Sequence, residues 1–188
     1  MRNLGIILSF LFFSQFSWAD HHNELVLGVI RQASAQNYAT GEKTAVRPGF
    51  GIGLKTESFD YMGFSLKVGL MIEQRNLTDI FAGVEHNISL THADLLTHVS
   101  YKVTDSFSIF AGPQYSVLMS TKCKPVSGDC LLSPSHASKY FLPVTAGFDF
   151  TFMEDFGMEA YYEWISQEIW ETTFEKVRTF GLNLKYKF

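Results

Sequence analysis

Along eight separate stretches of this chain an apolar residue alternates with a small or polar one, and after the first twenty residues no apolar run is long enough to cross a membrane as a helix. Short and long connections alternate between those stretches. These features predict an all-β fold, an eight-stranded antiparallel up-and-down transmembrane β-barrel. In a bilayer every backbone polar group must be satisfied within the protein, so only helices and closed barrels span. The helix lacks a segment, which leaves the barrel.

Residues 1–19 are expected to be a cleaved signal peptide, and residues 20–188 the barrel domain. Arg2 supplies the positive start, Leu4 to Phe13 a short apolar core, and Ser17-Trp18-Ala19 a small-x-small cleavage site before Asp20. No cysteine lies near that site, which argues against a lipoprotein. His21 and His22 follow it and are expected to be disordered. The net charge of −4 is modest and the basic residues are scattered, so no nucleic-acid partner is expected.

The predicted strands are Glu24–Ser34, Arg47–Glu57, Gly63–Arg75, Asn87–Lys102, Ser106–Ser120, Tyr140–Met153, Gly157–Gln167 and Lys176–Phe188. In the third, Phe64, Leu66, Val68, Leu70 and Ile72 oppose Ser65, Lys67, Gly69, Met71, Glu73 and Arg75. In the fifth, Phe107, Ile109, Ala111, Tyr115, Val117 and Met119 oppose Ser108, Gly112, Gln114 and Ser116. The sixth sets Leu142, Val144, Ala146, Phe148, Phe150 and Phe152 against Thr145, Gly147, Asp149 and Thr151. The eighth sets Phe180, Leu182, Leu184, Tyr186 and Phe188 against Gly181, Asn183, Lys185 and Lys187.

Short connections are expected at 58–62, 103–105 and 154–156, on the periplasmic rim with both termini. Four long loops are expected at 35–46, 76–86, 121–139 and 168–175, on the extracellular rim. Faces assigned from apolar and charged residues alone put Gly28, Gly49, Gly51, Gly53, Gly69, Gly112, Gly147 and Gly181 inside. An eight-stranded barrel has a narrow interior in which small residues must alternate with large ones. A water-soluble barrel would carry its continuous aromatic face inward instead.

Arg-Pro-Gly-Phe-Gly-Ile-Gly-Leu at 47–54, Phe-Ala-Gly-Pro-Gln-Tyr at 110–115 and Gly-Leu-Asn-Leu-Lys-Tyr-Lys-Phe at 181–188 resemble the small outer-membrane β-barrel superfamily, of the OmpA/OmpX type and the related porin-family domain. The resemblance runs from Arg47 to Phe188. It implies a bacterial outer-membrane location, contact with outer-membrane lipid and lipopolysaccharide, and insertion by the barrel-assembly machinery. Tyr186 and Phe188 resemble the terminal signature which that machinery recognises. With no peptidoglycan-binding domain after Phe188, the anchoring role of the longer OmpA proteins is not expected. Members of this superfamily do unrelated jobs, so architecture is implied and function is not.

Charges of both signs fall on the inner faces: Lys55, Lys67, Glu73, Arg75, Asp94, Lys102, Asp149, Glu159, Glu163, Lys185 and Lys187. A proton or ion path and a salt-bridged plug are the two readings, and the plug is favoured because unpaired charge in a narrow lumen is expensive. If Glu168 pairs with Lys176, Glu159 falls opposite Lys185 and Trp164 opposite Phe180. His86, His92 and His98 share the inner face of strand four, but six residues of strand span about 20 Å, too far for one metal ion. They are expected to hydrogen-bond neighbours such as Asp94. No cofactor is expected.

Cys123 and Cys130 are the only cysteines and read as a disulfide in the third long loop. A lipid-acting enzyme would need a Ser/His pair on the lipid-facing rim with an acid behind it. His136 beside Ser135 and Ser138 has no acid in the adjoining residues, His98-Val99-Ser100 points inward, and Gly-x-Ser-x-Gly is absent. The expected function is therefore a non-enzymatic one, structural or surface-interacting through the long loops, with an extracellular ligand unspecified and the barrel monomeric. The alternative is a small-solute or ion channel.

Overall fold

The computed structural model describes residues 22–37, 41, 43–81, 84–125, 130, 137–170 and 174–188. The expected signal peptide, His21, Ser135 and His136 lie outside the described residues. The strands are β1 (His22–Asn37), β2 (Ala45–Tyr61), β3 (Phe64–Phe81), β4 (Val84–Thr104), β5 (Phe107–Pro125), β6 (Tyr140–Phe141), β7 (Val144–Thr151), β8 (Phe156–Trp164) and β9 (Phe174–Lys187). All pair antiparallel, β9 pairs with β1, and β4 pairs with β5, which closes the sheet into a ring. β6 and β7 are two parts of one strand position, since both pair with β5 in the same register. Pro143 separates them because it has no N–H to donate. Its carbonyl still accepts from the Gln114 N–H at 2.9 Å. The ring therefore has the eight positions that the alternation predicts.

At the turn end the hairpins close tightly. Tyr61 pairs with Phe64 across Met62 and Gly63, whose φ angles of 54° and 81° both lie in the left-handed region. Two positive φ values match the twist of the flanking strands, which is why such turns join hairpins. At the opposite end the strands outrun a bilayer. Spanning needs about 9–11 tilted residues, whereas β3, β4 and β5 have 18, 21 and 19.

Two expectations need correction here. The connection 76–86 is not a long loop: β3 and β4 continue through it as a paired ribbon as far as Phe81 opposite Val84. Thr78 and Asn87 bond across this ribbon at 2.9 Å, and the polar composition that suggested a loop is the outer face of a solvated sheet. The last hairpin is also displaced by two residues. Glu159 faces Asn183 and Trp164 faces Arg178. Ile165, Ile169 and Trp170 fold into the barrel mouth and are buried, so β8 stops at Trp164 instead of running on to Glu168. A shift of two preserves which residues face inward.

The alternation sorts the two faces. Along β4, His86, Ile88, Leu90, His92, Asp94, Leu96, His98 and Ser100 are buried, while Leu95, Val99 and Tyr101 are exposed. The exterior carries an apolar belt that includes Ile52, Leu54, Ile72, Ile109, Val117, Phe148 and Leu184. Toward the turns this belt ends in aromatic contacts: Phe64 with Tyr101, Phe156 with Tyr186, and Tyr186 with Phe188, with centroids 4.7, 5.0 and 6.4 Å apart. Toward the loop end, outward residues turn polar at one cross-strand row, Gln74–Thr91–Ser120. An apolar band edged by aromatic rings is the exterior of a transmembrane barrel.

Candidate functional site: a filled lumen and the ribbon above it

The lumen is packed in layers. Nearest the loops is an apolar plug of Ala33, Ala35, Leu77, Ile88, Leu90, Phe141, Ile165, Ile169, Trp170 and Val177. Below it lies a layer of charge. A bulge in β1 between Gly28 and Arg31 puts Val29 and Ile30 both outward, 49% and 41% exposed, and so turns Arg31 inward. Arg31 meets Glu73 at 2.6 Å and Glu163 at 3.1 Å, and donates to the Tyr161 hydroxyl. Arg75 meets Glu163 at 2.7 Å and Asp94 at 3.3 Å. The Thr179 hydroxyl also donates to Glu163, at 2.7 Å. Both guanidiniums lie near aromatic rings, Arg31 at Tyr161 and Arg75 at Phe141.

A thin apolar layer of Val26, Met71 and Leu96 follows. The void beside it, lined by Met71, Leu96, Gln114 and Tyr161, has no room for a water molecule. Beyond that, Lys55 meets Glu159 at 2.7 Å, Lys67 meets Asp149 at 2.8 Å, and Lys185 lies between Asp149 and Glu24. The turn end then opens into a polar vestibule of about 370 Å³, lined among others by Glu57, Ser65, Lys67, Ser100 and Lys187. Lys102 stands at this mouth, half-exposed, and pairs with Asp105 at 2.9 Å, so it is not a lumen charge. Its hydrogen bond holds the Asp105 carboxyl below the usual carboxylate range.

Burial of this many charges costs desolvation energy, which only multiple partners can offset. Each lumen carboxylate named above has at least one cation within reach. The buried network thus contains Lys67, Glu73, Arg75, Asp94, Asp149, Glu159, Glu163 and Lys185, together with Lys55, Arg31 and Glu24. Alternation places Glu24 only at a strand boundary and does not turn Arg31 inward. The double outward apolar pair Val29-Ile30 was the one signal that could have exposed the bulge.

All three histidines face the lumen as expected, but the bonding of His92 and His98 departs from expectation. His92 packs edge-on to Phe141 and His98 stacks on Phe110, with centroids 4.8 and 5.0 Å apart. Among the described residues His92 Nδ1 and His98 Nε2 have no hydrogen-bond partner, and Asp94 is engaged by Arg75. His86 Nδ1 lies 2.8 Å from the Val84 carbonyl. Phe110 is the apolar lumen residue that supports His98, and strict alternation passed over it. Among the described residues no group of His, Cys, Asp and Glu is placed to hold a metal. His98 and Ser100 both face the lumen, away from lipid.

Cys123 and Cys130 are joined in a disulfide, with Cα atoms 6.0 Å apart. Cys123 sits within β5, opposite Ile88, and both cysteines pack against the apolar plug. The bridge therefore closes on the end of a strand and not within a free loop. Tyr186 and Phe188 lie on the outer face at the turn end, 40% and 65% exposed.

No protein-family model matches this sequence, and no curated protein does. Solved structures do. Ail, the attachment invasion locus protein of Yersinia pestis, crystallised with the heparin analogue sucrose octasulfate, is 15% identical, covers 90% of this chain and 99% of its own, and superposes with a TM-score of 0.54. Neisserial surface protein A is 12% identical, covers 89% of this chain and 97% of its own, with a TM-score of 0.55. Identity this low speaks to fold alone, and the fold agrees with the belt, the closed ring and the paired lumen: this chain has the architecture of the small eight-stranded outer-membrane β-barrels.

Proposed function

We propose that this protein is a closed outer-membrane barrel that serves as a rigid stalk for surface interaction, with a structural rather than a transporting or enzymatic role. The observation that carries the reading is the ribbon of β3, β4 and β5 beyond the Gln74–Thr91–Ser120 row. From Thr91 to Val84 the chain continues as paired strand outside the apolar belt, a reach of roughly 20 Å at about 3.3 Å per residue. Its inner side is anchored on Leu77, Ile88, Leu90 and Trp170. A sheet held this firmly in water presents backbone and side chains to the exterior at little ordering cost.

The layered lumen supports a non-conducting role, since a pore needs a continuous wet path. The Yersinia structure in complex with a heparin analogue makes sulfated glycans a sensible first ligand class. The same reading includes export by the 1–19 signal peptide, insertion through recognition of Tyr186 and Phe188, and a monomeric barrel. The test replaces residues 77–88 with a two-residue turn and compares binding to immobilised heparin. Intact protein should bind and the shortened barrel should not, while both should fail to produce stepwise conductance in planar bilayers. Equal binding by the two proteins, or regular conductance steps, would overturn the reading.

A further inference from the structure

At the turn end the packed lumen opens into the vestibule of about 370 Å³. The local sequence makes this space. On β4 and β5 the inward residues His98 and Phe110 stack and fill the lumen, and two residues nearer the turns they give way to Ser100 and Ser108. Ser65 on β3 and Thr151 on β7 continue the small lining, and Ser65 stands directly opposite Ser100. The floor is the ion pair of Lys67 and Asp149, 4% and 3% exposed and 2.8 Å apart. The next void inward, beside Met71 and Leu96, has no room for water. The vestibule is therefore a cup with one mouth.

Its rim is held by backbone hydrogen bonds between neighbouring elements. The Lys102 N–H donates to the Gly63 carbonyl at 2.8 Å, the Thr151 N–H to Ser106 at 2.9 Å, and the Lys187 N–H to Asp155 at 2.7 Å. A cup built on closed strands is formed before any ligand arrives, which lowers the ordering cost of binding. Its chemistry limits what can enter. Ordinary small-molecule sites are lined mostly by apolar side chains, whereas this one is lined by hydroxyls and charges with Phe107 at its edge. Charges of opposite sign stand side by side, Lys67 with Asp149 and Lys102 with Asp105, so a bare ion would meet like charge beside any partner. A sugar hydroxyl donates and accepts, and so can use serine, carboxylate and ammonium alike.

We propose that the vestibule is a binding cup for a neutral carbohydrate that enters from the turn side. Its volume lies at the lower end of the range for small-ligand sites, which limits the occupant to about one or two sugar rings. Ser108 is central to the wall, since it lies opposite Lys102 on one neighbouring strand and Asp149 on the other. A free disaccharide and the end of a longer glycan chain offer the same chemistry to a cup with one mouth. The site is at the far end of the barrel from the ribbon and does not depend on the ribbon being a ligand surface.

The test titrates maltose, maltohexaose, glycine betaine and inorganic phosphate against the refolded barrel in neutral detergent, with binding read from backbone amide shifts in nuclear magnetic resonance spectra. The sugars should shift the amides of Ser100, Ser108 and Thr151 in a saturable way, while betaine and phosphate should not. Equal affinity for the two sugars per mole would mark a site for chain ends, and preference for maltose a site for the free sugar. Ser108→Phe, which fills the cup, should abolish the shifts. Thr151→Val removes one hydroxyl at constant volume and should weaken binding about two- to tenfold, the worth of one hydrogen bond. Lys139→Ala, at the loop end, should leave it unchanged, and unboiled gel migration should show all three variants folded. Absence of saturable shifts with either sugar, equal shifts with betaine or phosphate, or undiminished binding by folded Ser108→Phe would overturn the proposal.

Discussion

Glu163 shows what a single buried charge does in this barrel. It is fully buried and accepts from Arg31, Arg75 and Thr179. Its removal would leave two buried guanidiniums short of an anion, and breaking such a network typically costs about 3–5 kcal/mol. Glu163→Ala should therefore lower unfolding free energy by about that amount in urea titrations from lipid vesicles. A loss below about 1 kcal/mol would mean that the layer relaxes or admits solvent. Gly181 is constrained in the complementary way. A Cβ there would fall 2.0 Å from the Tyr161 ring, so only glycine lets Tyr161 lie flat across the strand and reach Arg31. Arg31 itself was not legible from periodicity, because the β1 bulge reverses the phase of alternation just before it.

At the scale of the strand, the face decides the effect of a substitution. Phe148 and Thr145 lie on the same strand, but Phe148 is 43% exposed to the lipid side and Thr145 is 1% exposed, accepting from Gln114 at 2.6 Å. Phe148→Arg should cost about 2–4 kcal/mol if it lies near the midplane, from charge placed in hydrocarbon. Thr145→Arg should act differently, by overpacking a filled lumen beside Glu163, its partner on β8. Refolding yields into vesicles of increasing thickness separate the two, because only the lipid-facing charge responds to bilayer thickness. The same response from both would reverse the assignment of faces. Strand faces were read correctly because burial on one side imposes a period of two. Strand ends were not, because polar residues in β3 and β4 above the belt look like loop until their pairing is seen.

At the scale of the molecule, ring closure leaves no strand edge at membrane depth, and unfolding must break many ladder bonds together. Unboiled protein in dodecyl sulfate should therefore migrate apart from boiled protein, with a β-type circular dichroism spectrum that survives until the transition. Identical migration together with a helical spectrum would remove the architecture. Cys123–Cys130 crosses only the upper end of this ring, so reduction should leave the shift in place.

Membrane insertion, strand number and the inward set of Lys67, Glu73, Arg75, Asp94, Asp149, Glu159, Glu163 and Lys185 could be read from the sequence, because alternation is a local property and lipid tolerates only one polarity outside. Which charges meet could not be read. Glu163 joins Arg31 and Arg75 across 132 and 88 positions of chain. Those encounters depend on strand stagger, a bulge in β1 and a last hairpin shifted by two residues, each a small local choice that the closed ring carries around its full circumference. The outward cross-strand row of Arg47, Asn76, Ser89 and Lys122 arises in the same way. Its members lie far apart in sequence and share a row only because four strands settle into one register.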